Sequence, residues 1–340
     1  MNSNGTMRAV QVPEPGGGFE LVEREVPAPG PEAVRIGVDA CGVCHSDSFV
    51  EAGSYPGIDY PRTPGHEVAG RIDAVGEDVT AWSVGDRVGV GWHGGHCFAC
   101  EPCRRGDFIN CEHQTITGIH TDGGYAEYMT APREALAAVP EELDAVAAAP
   151  LLCAGVTTFN GLRNTGAGPG DLVAVLGIGG LGHLGLQFAS HAGFETVAVS
   201  RGTEKAELAR ELGADHFVDS EAEDPAAALR ELGGARVVFG TAPSKAAIES
   251  VVGGLGPNGQ LVLVAGPEEP VELPVGSLID GRSSVNGWAS GTARDSQDTL
   301  EFSALRDVTP MVETFPLDEA AAAFEAMHEG DVRFRSVIVP

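Results

Sequence analysis

Four cysteines stand within fifteen residues, in Cys97-Phe-Ala-Cys100-Glu-Pro-Cys103-Arg-Arg-Gly-Asp-Phe-Ile-Asn-Cys111. Three of them recur at i, i+3 and i+6. Thiolates at that pitch can converge on one tetrahedral ion, and Zn2+ accepts four sulfurs at about 2.3 Å. So short and polar a segment has almost no apolar core, so the metal would supply its folding energy. Two disulfides, or free buried thiols, are the other uses of the same residues. The chain reads as cytosolic, which favours the metal.

At 340 residues the chain is long enough for two domains with full cores. No apolar run approaches a membrane span, and Met1 to Val12 lacks the basic start and apolar middle of a signal peptide. A cytoplasmic protein is expected. The net charge is −28, and Lys205 and Lys245 are the only lysines. Such a chain repels polyanions, which argues against nucleic acid and membrane as partners. The acids are scattered, as in Pro140-Glu-Glu-Leu-Asp144, and read as a solvated carboxylate surface. A high-salt cytoplasm would account for them, since at about 1 M salt the Debye length is only ~3 Å and self-repulsion is quenched.

Short alternating strands fill the first part: Met7 to Val12, Phe19 to Glu25, Ala33 to Ala40, Glu67 to Val75 and Gly85 to Val90. The first 150 residues are thus mainly β, and the character changes at Leu151. Apolar strands then alternate with helices: Asp171 to Leu176, helix Leu181 to His191, Thr196 to Val199, helix Thr203 to Leu212, Val237 to Phe239 and Gln260 to Val264. This is the pattern of a parallel sheet with helices on both faces. After about Ala289 it breaks, leaving one helix, Leu317 to His328, and a last strand, Phe334 to Val339.

Gly177-Ile-Gly179-Gly180-Leu181-Gly182 fits G-x-G-x-x-G directly after a buried strand and at the start of an apolar helix. Gly177 permits the tight turn, Gly179 lets backbone approach a pyrophosphate, and Gly182 lets helix and strand pack closely. The next strand ends at Ser200-Arg201, where a site for NAD usually has an acid. A hydroxyl and a guanidinium suit a 2′-phosphate, so NADP is favoured over NAD.

Cys44-His-Ser-Asp, Gly65-His66-Glu67, the four-cysteine segment, Cys153 and the Gly177–Gly182 turn occur in the order seen in zinc-containing medium-chain alcohol dehydrogenases. The chain resembles that family from Met7 to Pro340, and looks closest to its short microbial members and its cinnamyl-alcohol branch. The resemblance implies an α/β protein in two domains. A GroES-like, mainly β catalytic domain would span about 1–154 and 290–340, with its zinc lobe at 92–114. An inserted Rossmann domain, a doubly wound parallel sheet, would span about 155–289, with the active site in the cleft between them.

The resemblance further implies a catalytic zinc on Cys44, His66 and Cys153, its fourth position open, with Glu67 close behind. With the lobe, that makes two zinc ions per subunit. Zinc would lower the pKa of a bound alcohol, hydride would pass between the carbinol carbon and the nicotinamide, and Ser46 would take the alcohol's proton. His45 and Arg335 match residues that reach the cofactor phosphates, and Thr157 matches a nicotinamide contact. Cys41 has no counterpart and reads as a core thiol. Many members carry a relay histidine where this chain has Phe49, so the proton would leave through His45, a ribose hydroxyl or water. Trp92 matches an aromatic that narrows the pocket and suggests a small primary alcohol or an aldehyde. His93 and His96 read as polar loop residues. Microbial relatives are tetramers and the cinnamyl branch dimers, so a homotetramer or homodimer is expected. A polyol or sugar dehydrogenase is the rival within the class. A zinc-independent quinone or enoyl reductase shares the fold, but would have no use for Cys44, His66 and Cys153 together.

Overall fold

Ala33–Gly42 buries Val34, Ile36, Val38 and Ala40 on one face, the period of two that a half-covered strand requires. In the computed structural model, which describes residues 5–340, this strand is the centre of a seven-stranded sheet. It pairs antiparallel with Val68–Val75, Val34 opposite Val75 and Cys41 opposite Val68. Arg87–Val90 and Leu136–Ala138 continue the sheet on one side, Arg335–Val339 and Val312–Pro316 on the other. The core beneath gathers Val34, Ile36, Val68, Ile72, Val88, Tyr125, Phe324 and Ile338.

The chain divides into two units, Met1–Val156 with Gly291–Pro340, and Thr157–Ser290. The second holds six parallel strands, Leu172–Leu176, Glu195–Ser200, His216–Asp219, Ala235–Gly240, Leu255–Leu263 and Ser284–Gly287. Their spatial order is third, second, first, fourth, fifth, sixth, that of a doubly wound dinucleotide fold. Leu172–Leu176 is buried throughout, as a strand covered on both faces must be.

Two helices depart from the sequence reading. Leu151, where the character of the chain changes, lies inside a helix not read from the sequence; it starts at Ala145, where Asp144 caps the turn by accepting from the Ala147 amide at 2.7 Å. The resulting helix, Ala145–Arg163, is the one among the described residues long and apolar enough to cross a membrane, and it is mostly buried in the protein. Ala293–Arg306 is a helix where the sequence pattern breaks. It buries Ser296, Thr299 and Ser303 beside Leu300, so its inner face is small and polar and gives no hydrophobic period. Thr292 and Asp295 start it with a reciprocal capping box.

Candidate active site

Cys44 follows the central strand and opens a single turn, His45–Asp47. His66 follows Gly65, whose φ of +100° turns the chain into the strand Val68–Val75. Cys153 lies in Leu151–Gly155, a wide i→i+5 turn that Pro150 introduces into the long helix. Such turns re-aim a side chain out of helical register. One ligand atom each from Cys44, His66, Glu67 and Cys153 lies within 4.8 Å of the others. The Cys44 and Cys153 sulfurs are 3.9 Å apart. Tetrahedral zinc with Zn–S near 2.3 Å would set its sulfurs about 3.8 Å apart.

Asp47, which sequence reasoning did not single out, organises these ligands. It is 1% exposed, and it accepts from the Cys44 amide at 2.8 Å and the Tyr125 hydroxyl at 2.9 Å. Its other oxygen faces His66 Nδ1 at 3.2 Å. The Asp47 oxygens accept from the Cys44 amide and the Tyr125 hydroxyl, so the geometry sets Nδ1 as the donor to Asp47 and leaves Nε2 as the nitrogen that can face a metal. That Nε2 is buried without a hydrogen-bond partner, which fits a metal ligand. The electrostatics agree. A hydrogen bond with Cys153 holds the Cys44 thiol well below its usual pKa, while the same bond and burial push Cys153 up, so the pair shares one proton. Burial would lower His66, but Asp47 and Cys44 outweigh it and hold the metal-free imidazole well above its ordinary value, so without a cation Nε2 also carries a proton, one that metal binding would displace. A cation would replace that shared proton.

Behind the ligands lies a buried ion pair. Glu67, 0% exposed, accepts from Arg335 Nη2, which also donates to the Val43 carbonyl at 3.0 Å. Arg335 is 3% exposed. Burial raises the Glu67 carboxyl to about 7, against the pull of Arg335. Gly42 makes the room, since a Cβ there would lie 1.9 Å from Glu67 Oε2.

A half-buried aromatic row leads away from His66. Trp92 meets the His66 ring edge-on at 4.9 Å, Tyr55 meets Trp92 at 6.1 Å, and Phe49 lies 5.6 Å from Tyr55. Beneath them are Val50, Ile116 and Ile119. His120 borders the row, but its nitrogens are engaged by the Ile116 amide and the Pro56 carbonyl. Ser46 is half-buried, and His45 is exposed and stacked on His328 at 4.8 Å. Cys41 is buried in the core and takes no part in either cluster of metal-binding groups.

In the lobe, Cys97, Cys100, Cys103 and Cys111 bring their sulfurs together at 3.6 Å (Cys97 to Cys111), 3.8 Å (Cys100 to Cys111) and 4.0 Å (Cys97 to Cys103). A disulfide would need about 2.05 Å, and all seven cysteines are free. The separations match the edges of a tetrahedral four-sulfur site. Amides of Ala99 and Cys100 donate to Cys97 and lower it to about 6, while burial and the neighbouring thiols push Cys103 up to about 12. Four thiolates there need a cation.

His96 is a loop residue as expected, half-buried, but His93 is not. His93 lies on the strand His93–Gly95 and is 2% exposed; the strand pairs with Thr115–Ile116. His96 stacks on Phe108 at 4.1 Å. The two rings lie 5.1 Å apart, and none of their nitrogens has a hydrogen-bond partner.

In the second unit Gly177 has φ +94°, and a Cβ on Gly182 would lie 1.8 Å from the Gly177 carbonyl. A Cβ on Gly179 would meet nothing within 4 Å. The turn thus leaves open space above Gly179 at the head of the helix Gly182–His191, which fits a pyrophosphate. Gly180 and Leu181 complete the turn, half-buried, and Thr157 is buried on the helix Val156–Arg163. Ser200 is half-buried and Arg201 exposed. Lys205, missed from sequence, donates to the Ile178 carbonyl at 2.8 Å and ties the turn to the segment after Ser200.

A GroES-like unit with two cysteine-rich metal centres, and a doubly wound unit with a phosphate-binding turn, together define a zinc- and nicotinamide-dependent dehydrogenase. Residues 30–141 match the alcohol dehydrogenase GroES-like domain, and residues 180–305 the zinc-binding dehydrogenase domain. The chain is 45% identical over 325 residues to the alcohol dehydrogenase patD of Penicillium expansum, covering 96% of this chain and 95% of that protein. Among solved structures it is similar to a cinnamyl alcohol dehydrogenase of Sorghum bicolor, with a TM-score of 0.86, 32% identity and coverage of 98% and 97%. It is also similar to the Helicobacter pylori enzyme complexed with NADP(H), at TM-score 0.85, 27% identity and 98% of each chain. The chain belongs to the zinc-containing medium-chain alcohol dehydrogenases. It is an NAD(P)-dependent enzyme acting on small alcohols or aldehydes.

Proposed function

We propose that this protein interconverts a small primary alcohol and its aldehyde with NADP(H), using a catalytic zinc on Cys44, His66 and Cys153 and a structural zinc on Cys97, Cys100, Cys103 and Cys111. The convergence of the Cys44, His66, Glu67 and Cys153 ligand atoms within 4.8 Å carries the reading. Zinc bound there supplies a Lewis acid for the alcohol or carbonyl oxygen, and the nicotinamide accepts or gives the hydride.

The chain's own residues do the rest. Asp47 fixes the His66 tautomer. Ser46, two residues after Cys44, takes the alcohol's proton. Phe49 cannot pass it on, so exposed His45 does, and His45 also meets the cofactor pyrophosphate. Arg335, expected to reach the cofactor phosphates, is instead 3% exposed and donates to Glu67 and the Val43 carbonyl, which supports a role holding the Glu67 charge behind the ligands. Thr157 contacts the nicotinamide. Trp92, Tyr55 and Phe49 exclude water and seat an apolar substituent. A polyol would find few partners along that wall, and each buried hydroxyl left unpaired costs about 1–3 kcal/mol.

Ser200 and Arg201, with Lys205 nearby, support a 2′-phosphate and hence NADP, as does the likeness to an enzyme solved with NADP(H). A homodimer or homotetramer is supported by the open edge strand Ser284–Gly287 and the exposed Val275 and Ile279 beside it. We place the enzyme in the cytoplasm and read its charge as adaptation to salt. The central test is metal analysis with an activity panel at low and high KCl. Two zinc per chain and chelator-sensitive NADP-linked turnover are expected. A zinc content unchanged in Cys153→Ser refutes the ligand set, a higher kcat/KM with NAD refutes the cofactor, and activity that falls with added KCl refutes the salt reading.

A further inference from the structure

We propose that Tyr125 is a positioning residue for the catalytic zinc, holding the segments that carry Cys44 and His66 in ligating geometry; this rests on the reading that Cys44, His66 and Cys153 bind that ion.

Tyr125 is fully buried and grips the site twice. Its hydroxyl donates to Asp47 Oδ2 at 2.9 Å, the oxygen that also accepts from the Cys44 amide, while Asp47 Oδ1 faces His66 Nδ1. Asp47 therefore has three donors, one from each ligand segment and one from Tyr125. Remove the last, and the carboxylate is free to turn about its terminal torsion and release His66 Nδ1. Burial, then the Asp47 charge, hold the phenol well above its usual pKa, so the hydroxyl keeps its proton and goes on donating.

The ring provides the second grip. A Cβ on Gly65 would lie 2.5 Å from Tyr125 Cδ1, so the aromatic edge rests directly on the turn that presents His66. The backbone fixes that contact. Gly123, Gly124 and Tyr125 donate in turn to the carbonyls of Thr63, Gly65 and Pro64, at 2.8, 2.9 and 3.1 Å. Behind the ring stand Phe19 at 6.2 Å and, edge-on to Phe19 at 5.0 Å, Phe324, so the ring has no room to recede. An ordinary core tyrosine needs one acceptor; this one has the carboxylate that sets a ligand's tautomer. Partners of that kind alter metal affinity by about 10–100-fold.

The test is chelator-driven zinc release from the zinc-loaded enzyme, followed with a chromogenic chelator. Cys153→Ser and Cys103→Ser assign the catalytic and lobe phases. Tyr125→Phe keeps the ring and should speed the catalytic phase roughly tenfold, with the lobe phase unchanged as the internal control. Asp47→Asn should do the same, and the double variant should be no faster than the faster single. An unchanged catalytic phase in Tyr125→Phe, or equal acceleration of both phases, overturns the proposal. If Cys153→Ser removes no zinc, the ligand reading itself falls and takes the proposal with it. Should Tyr125→Phe not fold, 3-fluorotyrosine at position 125, a stronger donor, should slow the catalytic phase, and an unchanged rate there also overturns it.

Discussion

Arg335 and Glu67 are 268 residues apart in sequence and almost wholly removed from solvent, so breaking their pair should be expensive in an asymmetric way. Take Glu67→Met first. It leaves a buried guanidinium that cannot give up its proton. The loss should be about 3–5 kcal/mol, a fall of about 6–20 °C in Tm for a unit of this size. The deficit should narrow by about 1 kcal/mol between pH 6 and 8, because Glu67 of the unsubstituted protein, raised to about 7, gives up its own proton across that window. Arg335→Met leaves a buried carboxyl instead, and that group has an escape. Its folded pKa is already raised to about 7, against 4.5 for the free side chain, and without Arg335 it rises further. The folded state then holds a proton that the unfolded chain has released. Stability therefore falls as pH rises, by up to ~1.4 kcal/mol per unit, until the folded pKa is passed. The deficit against the unsubstituted protein should be about 1–2 kcal/mol at pH 6, the cost of the lost hydrogen bonds, and should grow above pH 7. The double variant should recover most of the loss. Urea unfolding of the zinc-loaded proteins at pH 6, 7 and 8 measures all three. Equal, pH-independent deficits in both singles, or a double variant weaker than either, would refute the reasoning.

Three further outcomes are expected. Burial, with the charge of His96 adding to it, holds His93 down at about 4 against 6.5 when free, so its contribution is present above pH 6.5 and is lost as pH falls toward 4. That loss is at most ~3 kcal/mol, and His93→Met should flatten it in unfolding curves; an unaltered slope sinks the assignment. Gly182→Ala puts a Cβ into the Gly177 carbonyl, so KM for the cofactor should rise on the order of tenfold or more, a loss of ~1.4 kcal/mol, while zinc content stays constant. Unchanged cofactor kinetics would show that the turn does not hold it. Cys103→Ser should release one zinc and open the segment Cys97–Cys111 to proteolysis, since the lobe has little apolar core to fall back on. A protease-resistant lobe without metal would contradict this.

The motifs were legible because each is local. Four thiols in one short segment, and a glycine turn between an apolar strand and helix, state their chemistry by spacing alone. The ligand set Cys44, His66 and Cys153 was legible only through family likeness, since nothing in the intervening residues says that the strand end, the Gly65 turn and the Leu151–Gly155 turn will meet. What supports the site was legible only in part: Glu67 and Arg335 were singled out, but not as partners of each other. Asp47 stood only as the last residue of Cys44-His-Ser-Asp, and nothing in the sequence marks Tyr125. Arg335 and Glu67 find each other through sheet pairing that brings Arg335–Val339 against Ala33–Gly42. His93 was misread because a histidine among glycines looks like loop, whereas it lies on the short strand His93–Gly95 that pairs with Thr115–Ile116. Ala293–Arg306 was missed because serine and threonine line its buried face.

The scarcity of lysine has a practical side. Of the chain's two lysine ammonium groups, one donates to Ile178 in the cofactor turn and the other pairs with Glu249 and the Pro270 carbonyl. Amine-directed dyes, crosslinkers and resins would therefore find few reactive handles, and acylation at Lys205 would disturb the cofactor turn itself. Against them stand 49 aspartates and glutamates. Carbodiimide activation of surface carboxylates is thus the route by which this enzyme would be attached to a support with its chemistry left intact.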